Sequence, residues 1–180
     1  FASEATVTGT FFNLQAGIRW RNVGGDWVDA RGVAQGPASF AIARVADTDS
    51  VKDVTWDVTK LVKTWQGEPS ALTAMLLKTN SGDSIRFRSN QFKGSEPRLI
   101  LTFDDGHVSE HVVSHDVSVD ASTAYPLGSA TEGQVGRSTS YLLQWNRDAL
   151  FPEHAAIASA SLRMVSSAQF GHTEIGVYQM

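Results

Sequence analysis

Three histidines recur at intervals of four residues in the most polar stretch of the chain, residues 104–116. They are His107, His111 and His115. On an extended strand this spacing would direct the three imidazoles to one face, and on a helix it would form one stripe. Neutral imidazole binds zinc and copper, so the spacing raises the hypothesis of a site for one of these metals. The alternative is a solvated linker whose histidines only titrate, because the chain has no cysteine and offers no clear fourth ligand.

Three aspartates alternate with other polar residues upstream, at Asp47, Asp49 and Asp53. Carboxylate and hydroxyl oxygens are the hard ligands that calcium takes, so calcium is the cofactor that this pattern indicates. The segment is not an EF-hand loop, because it lacks the glycine and the glutamate that such a loop requires. A polar turn between two strands is the alternative, and the sequence requires no cofactor.

Two tryptophans lie in glycine-rich and charged surroundings typical of loops. Trp27 is flanked by Asp26 and Asp29, and Trp20 follows Arg19. An aromatic ring beside planar polar groups suits carbohydrate recognition, so these five residues are candidate sugar ligands, with packing under the loop as the alternative. The remaining tryptophans lie in apolar strand or helix patterns and are expected in the core: Trp56, Trp65 and Trp145.

Catalytic and nucleic-acid functions find no support in the sequence. It contains no Gly-x-Ser-x-Gly elbow and no phosphate-binding glycine loop followed by Lys-Ser/Thr. The formal net charge of -4 argues against a nucleic-acid partner. No run approaches the roughly 20 apolar residues of a membrane span. We therefore expect no enzyme, no nucleic-acid partner and no membrane span.

Short apolar runs, separated by Gly, Asn, Asp and Ser, recur about every ten residues, which is typical of β-strands. These runs are 6–8, 38–45, 51–56, 74–78, 84–88, 98–103, 112–119, 140–146, 159–166 and 174–179. One segment breaks the pattern, because Val58, Leu61, Val62 and Trp65 have helical spacing after Asp57, a suitable N-cap. The sequence predicts an all-β fold, a jelly-roll-like antiparallel β-sandwich with one short α-helix near residues 58–65.

Residues 54–103 carry a specific order of motifs. The order runs from Trp56 through DVT (57–59), LV (61–62) and Trp65 to AMLLK (74–78), IRFRS (85–89) and SEPRLILTF (95–103). It resembles the second half of DNRLRE-type domains, β-sandwich modules of secreted bacterial and archaeal proteins related to alginate- and aminosugar-binding modules. The stretch RWRN (19–22) looks like the loop that precedes this half. The resemblance implies a secreted, extracellular or cell-surface protein and a carbohydrate-binding role.

The opening half of the same module is similar to the residues that follow. Its counterparts are DVSV (116–119), SYLLQW (140–145), AIASASLR (156–163) and IGVY (175–178). In the family the opening half precedes the closing half, whereas here the closing half comes first. We divide the chain into a closing half (1–103), a polar connector (104–116) and an opening half (117–180) of the same or a neighbouring module.

Three explanations fit the reversed order. The chain is a circular permutant, or one period of a tandem array, or a subunit whose closing half completes the opening half of the next subunit by strand addition. The last contact is head-to-tail and builds a filament when it does not close. The chain opens at Phe1 without an initiator Met or a signal-peptide pattern, so we expect a mature or excised piece of a longer polypeptide.

The function expected from the sequence is that of a non-catalytic, extracellular structural module. It would assemble head-to-tail with copies of itself or with neighbouring repeats, as part of a fibre, filament or surface layer. The alternative is a carbohydrate-binding module of a secreted protein that acts on polysaccharides, with the loop tryptophans as its platform.

Overall fold

The computed structural model describes residues 6–13, 15–46, 51–80, 83–122, 130–151, 156–167 and 172–180. Within them the elements are β1 (Phe11–Asn13), β2 (Ile18–Arg19), β3 (Ala41–Val45), β4 (Lys52–Asp57), α1 (Thr59–Gly67), β5 (Ala74–Lys78), β6 (Ile85–Arg88), β7 (Arg98–Phe103), β8 (Val108–Val112), β9 (His115–Asp120), β10 (Glu132–Val135), β11 (Thr139–Gln144), α2 (Arg147–Leu150), β12 (Ile157–Ser166) and β13 (Thr173–Gln179). The predicted all-β sandwich with a short helix is confirmed.

Two antiparallel sheets form the sandwich, and the β1–β2 hairpin stands apart from both. The six-stranded sheet has the order β10-β6-β12-β7-β8, and β4 also pairs with β12. The five-stranded sheet has the order β3-β13-β5-β11-β9. Among the described strands, the edges of the first sheet are therefore β8, β10 and β4, and the edges of the second are β3 and β9.

The main core lies between the two sheets and follows from the two-residue period of the strands. In β7, Leu99, Leu101 and Phe103 are buried, whereas the residues between them are half-buried on the opposite face. Burying a large apolar side chain stabilises the fold by roughly 1.5–3 kcal/mol. A second, smaller cluster covers part of the outer face of the five-stranded sheet, where Val7 and Trp27 pack on Leu76.

The predicted helix is α1, which buries Leu61, Val62 and Trp65. Asp57 acts at its start as expected, although it lies one residue before the N-cap position. Its Oδ1 accepts hydrogen bonds from the Thr59 hydroxyl at 2.6 Å and from the Thr59 N–H at 3.0 Å, and these bonds lower the pKa of Asp57. Neither of the two described helices is long and apolar enough to cross a membrane.

The two halves of the chain interlock through shared sheets. The strand β12 pairs with β4 and with β7, and β13 pairs with β3 and with β5. Across the core, Trp56 Nε1 donates a hydrogen bond to the Ile175 carbonyl at 3.0 Å. The halves thus complete one another within one chain, which is the arrangement that the circular-permutant explanation predicts.

The polar stretch 104–116 consists largely of strand. A turn after β7 leads into β8, which pairs back onto β7 with Leu99 opposite His111. The chain then leaves the six-stranded sheet, and β9 enters the five-stranded sheet with His115 opposite Gln144. This stretch is therefore the crossing point between the two sheets.

Candidate functional site

Trp27 does not form an exposed sugar platform. Its side chain is only 8% exposed and packs on Tyr178, with the ring centroids 4.5 Å apart. The ammonium of Lys78 lies 5.2 Å from the centroid of the Trp27 ring. Trp27 therefore belongs to the smaller hydrophobic cluster, as the packing alternative states.

The two aspartates beside Trp27 organise the loop. Both Asp26 carboxylate oxygens accept backbone N–H groups, from Arg21 and Asn22 at 2.8 Å. Asp29 is 1% exposed, and its carboxylate accepts three backbone N–H groups at 2.8–3.2 Å, those of Arg31, Val33 and Ala38. Burial alone would raise the pKa of Asp29, but these donors and the Arg31 charge together lower it. Both carboxylates are thus engaged in holding the backbone.

The second sugar candidate, Trp20, also has a structural position. Its ring is half-buried against the smaller cluster, and its Nε1 donates a hydrogen bond to the Thr8 carbonyl at 2.8 Å. Arg19 is exposed on β2. The five predicted sugar ligands therefore lie in one loop region without presenting an open aromatic face.

The calcium hypothesis is only partly within reach of the structure. Asp47 and Asp49 lie outside the described residues. Asp53 lies on β4, where its carboxylate is 3.3 Å from the guanidinium of Arg163 on β12.

The structure does not place the three histidines of the zinc or copper hypothesis in one group. The His107 ring stacks on Phe103, and His111 Nε2 lies 2.8 Å from the Ser109 hydroxyl. Burial lowers the pKa of His111 and favours its neutral form. His115 belongs to the other sheet, because the chain crosses between sheets just before it. Among the described residues, no group of three or more His, Cys, Asp or Glu is placed to hold a metal ion.

A groove with a cavity volume of about 290 Å³ opens on the outer face of the five-stranded sheet, beside the smaller cluster. Its lining includes Lys78 from β5 and Glu174, Gly176 and Tyr178 from β13. Gly176 lies opposite Lys78 and leaves the space open. A Cβ at Gly176 would lie 3.0 Å from the Ser39 Cβ, so a larger residue would crowd the groove.

Lys78 is the half-buried charge in this groove. Its Nζ donates a hydrogen bond to the Ser140 hydroxyl at 3.2 Å and faces the Trp27 ring. Burial lowers the pKa of Lys78, and no described carboxylate lies within 4.0 Å to offset that effect. The nearby carboxylate of Glu174 is held instead by Arg44, at 2.7 Å.

The sequence interpretation missed this groove. Lys78 ends an apolar strand, AMLLK, and such a lysine is ordinarily expected at an exposed strand end. The sequence contained one indication of the groove, Gly176 inside the alternating run TEIGVYQ. A glycine within a strand often marks a place where another group approaches closely or where space is open. The partners on the neighbouring strands depend on sheet order, which the alternation of single strands does not reveal.

No protein-family model, no curated protein and no solved structure matches this chain. The resemblance to DNRLRE-type domains therefore stays a prediction from the residues quoted above.

Proposed function

We propose that this chain is a non-catalytic, extracellular structural module that assembles head-to-tail with copies of itself. The observation that supports it most directly is the edge strand β8. Its side chains Val108 and Val112 are 54% and 41% exposed, and the charge of Glu110 between them is offset by Arg98 at 3.1 Å. Edge strands usually avoid self-pairing through lysine, proline or unpaired charge, and β8 has none of these protections.

Among the described strands, β8 pairs with β7 alone, so one side of its backbone faces no other described strand. Phe103 N–H donates to the His107 carbonyl, and Val113 N–H donates to the Pro97 carbonyl. Because this pattern alternates along an antiparallel pair, the N–H and C=O groups of Val108, Glu110 and Val112 point away from β7. They are available for strand addition.

The complementary surface is β3, the edge of the other sheet. Its exposed side chains are Ile42, at 59%, and Arg44. Antiparallel pairing of β8 with β3 of the next copy would set Val112 against Ile42 and Glu110 against Arg44. Favourable cross-strand pairs each contribute roughly 0.2–1 kcal/mol.

Charge favours this pairing over the alternatives. With Arg98 behind Glu110 and Glu174 behind Arg44, the joined sheets would carry a row of alternating charges. Pairing of β8 with itself would lack this alternation of charges, because Glu110 would face Glu110 instead of Arg44. The six-stranded sheet has two other edges among the described strands, β10 and β4, and β4 carries the exposed carboxylates of Asp53 and Asp57. Joining two different edges makes the contact heterologous, and it continues as a filament unless it closes.

In this proposal, pairing of β8 with β3 takes the place of the contact considered from the sequence, in which the closing half of one subunit completes the opening half of the next. The strands that two chains would have shared already pair within one chain. In the proposal, each copy is a closed sandwich that contacts its neighbours through edges.

Two blocked variants test the proposal. Val112→Lys removes the β8 surface, and Ile42→Lys removes the β3 surface. We expect the wild type to show a mass that rises with concentration in sedimentation equilibrium, and each variant to stay monomeric. An equimolar mixture of the two variants should form a one-to-one dimer, because each retains the surface that the other lacks.

The matched control is Val23→Lys, which makes the same exchange at a 66% exposed loop position and should assemble like the wild type. A wild type that stays monomeric at every concentration contradicts self-assembly. An Ile42→Lys variant that still dimerises alone shows pairing of β8 with itself and contradicts the head-to-tail arrangement.

The carbohydrate-binding alternative has weaker support, because both loop tryptophans are packed against the smaller cluster. Retention of the protein on a polysaccharide affinity gel, lost in Trp27→Ala without loss of folding, would favour it over a purely structural role.

A further inference from the structure

The groove beside Lys78 has a chemistry that the structural role does not use. Lys78 lies on the outer face of the five-stranded sheet, between Gly176 on one neighbouring strand and Ser140 on the other. The ammonium has three N–H donors. One is directed to the Ser140 hydroxyl and another side of the group faces the Trp27 ring, so donor capacity remains on the groove side.

We propose that this groove is a binding site for an oxyanion, a carboxylate carried by a small molecule or by an acidic saccharide unit, with Lys78 as its cationic ligand. The half-buried ammonium has no carboxylate of the described residues within 4.0 Å. A partly desolvated charge without a counter-ion is unfavourable in the free protein, and an anion in the groove offsets that cost.

The residues around Lys78 suit a carboxylate ligand that carries further polar groups, such as hydroxyls. The Ser39 hydroxyl and the Asn80 amide are further polar groups of the lining. Glu174 does not cancel the lysine charge, because its carboxylate is paired with Arg44. The Trp27 and Tyr178 rings close the inner side and keep the ammonium from full hydration.

The glycine opposite the lysine keeps the site open. A side chain at Gly176 would press on Ser39 and on the Tyr178 ring, whose Cε2 would lie 3.1 Å from the added Cβ. The sheet therefore places a cation next to a gap, with ring walls on the inner side. Burial of a lysine for packing alone would not require that gap.

Titration by NMR with glucuronate and with glucose tests the proposal, because the two probes differ by the carboxylate. We expect glucuronate to shift the amide signals of Gly176 and Ser140 saturably at constant ionic strength, and glucose to leave them unchanged. Lys78→Met keeps most of the stem length and removes the charge. It should weaken glucuronate binding by roughly tenfold or more, since one charge-assisted hydrogen bond is lost.

The matched control is Lys93→Met, which removes a lysine with an 83% exposed side chain outside the groove and should bind like the wild type. An arm with acetate separates the two sources of the anion. Equal affinity for acetate and glucuronate assigns the site to the carboxylate alone, and tighter binding of glucuronate assigns it to an acidic saccharide unit. Unchanged glucuronate affinity in Lys78→Met, or no saturable shift in the wild type, overturns the proposal.

Thermal stability gives a second readout. Because the groove disfavours the charged lysine, Lys78→Met should melt at the same temperature as the wild type or higher. A melting temperature lower by several degrees, together with unchanged glucuronate affinity, assigns Lys78 to packing and overturns the proposal. Ile42 lines the groove and also belongs to the β3 surface, so the titration is performed at concentrations where the protein is monomeric. Loss of glucuronate binding in Lys78→Met and loss of self-assembly in Val112→Lys then test the two proposals separately.

Discussion

Trp56→Phe tests the contact that closes the two halves of the chain on each other. The Trp56 side chain is 1% exposed, and its Nε1 donates a hydrogen bond to the Ile175 carbonyl, 119 positions along the chain. Its ring also meets Phe87 edge-on, with the centroids 5.8 Å apart. Phenylalanine keeps an aromatic ring there, but it removes the N–H and leaves a gap.

A matched substitution separates the hydrogen bond from the gap. Trp65 is also fully buried, and within the described residues its Nε1 has no hydrogen-bond partner. Trp65→Phe therefore loses similar ring volume but no hydrogen bond. Leaving a buried polar group unsatisfied costs about 1–3 kcal/mol, so Trp56→Phe should lose that much more free energy of unfolding than Trp65→Phe.

Urea denaturation followed by circular dichroism measures this difference without relying on tryptophan fluorescence. For a domain of this size, the difference corresponds to a melting temperature lower by about 2–12 °C. The unfolding midpoint at concentrations where the protein is monomeric should not depend on concentration, because the contact forms within one chain. Equal losses in the two variants, to within about 0.5 kcal/mol, refute the role of the hydrogen bond.

Three further substitutions probe the fold. Gly133→Ala should lower the free energy of unfolding by about 1–3 kcal/mol, because the added Cβ would overlap the buried ring of Tyr141. Urea denaturation measures this loss, and a denaturation midpoint equal to that of the wild type would contradict this packing. Asp29→Asn should cost stability at neutral pH, because the pKa of Asp29 is lowered in the fold and its carboxylate accepts backbone N–H groups there. This cost should decrease as the pH falls below the ordinary value of 3.8, and a cost that does not change with pH would exclude the contribution of the ionised carboxylate. Arg147→Met should lower the free energy of unfolding by about 2 kcal/mol, because its guanidinium donates to the Trp65 carbonyl at the end of α1, and an unchanged melting temperature would show that the bond contributes nothing.

The half-buried ammonium of Lys78 connects the stability of the fold with the proposed binding of an anion in the groove. A half-buried lysine without a nearby carboxylate weakens a fold unless something else uses it. Natural proteins retain such unfavourable groups most often at functional positions. The edge strand β8 is a second example, because its exposed Val108 and Val112 are unfavourable in water and favour contact with another chain.

Much of the fold followed from the sequence because its causes are local. The two-residue alternation in RLILTF and the helical spacing of Leu61, Val62 and Trp65 specify which faces are buried, and those faces are buried in the structure. The core positions of Trp56 and Trp145 followed in the same way. The carboxylate of Asp57 was expected at the start of α1 because its capping partner is two residues away.

The candidate sites depended on long-range pairing, which local patterns do not contain. The even spacing of His107, His111 and His115 predicted a common face, but the chain changes sheets between the last two. The polar neighbours of Trp27 left two hypotheses open, a sugar platform and packing under the loop, and in the structure those carboxylates bind backbone N–H groups while the ring packs on Tyr178. The side chain of Lys78 acquires its groove only because β13 brings a glycine beside it. The sequence by itself determined which face is buried in strands with clear alternation, such as β7, and which face of α1 is buried. The tertiary structure alone decided which residues meet, because sheet order joins residues that lie far apart in the chain.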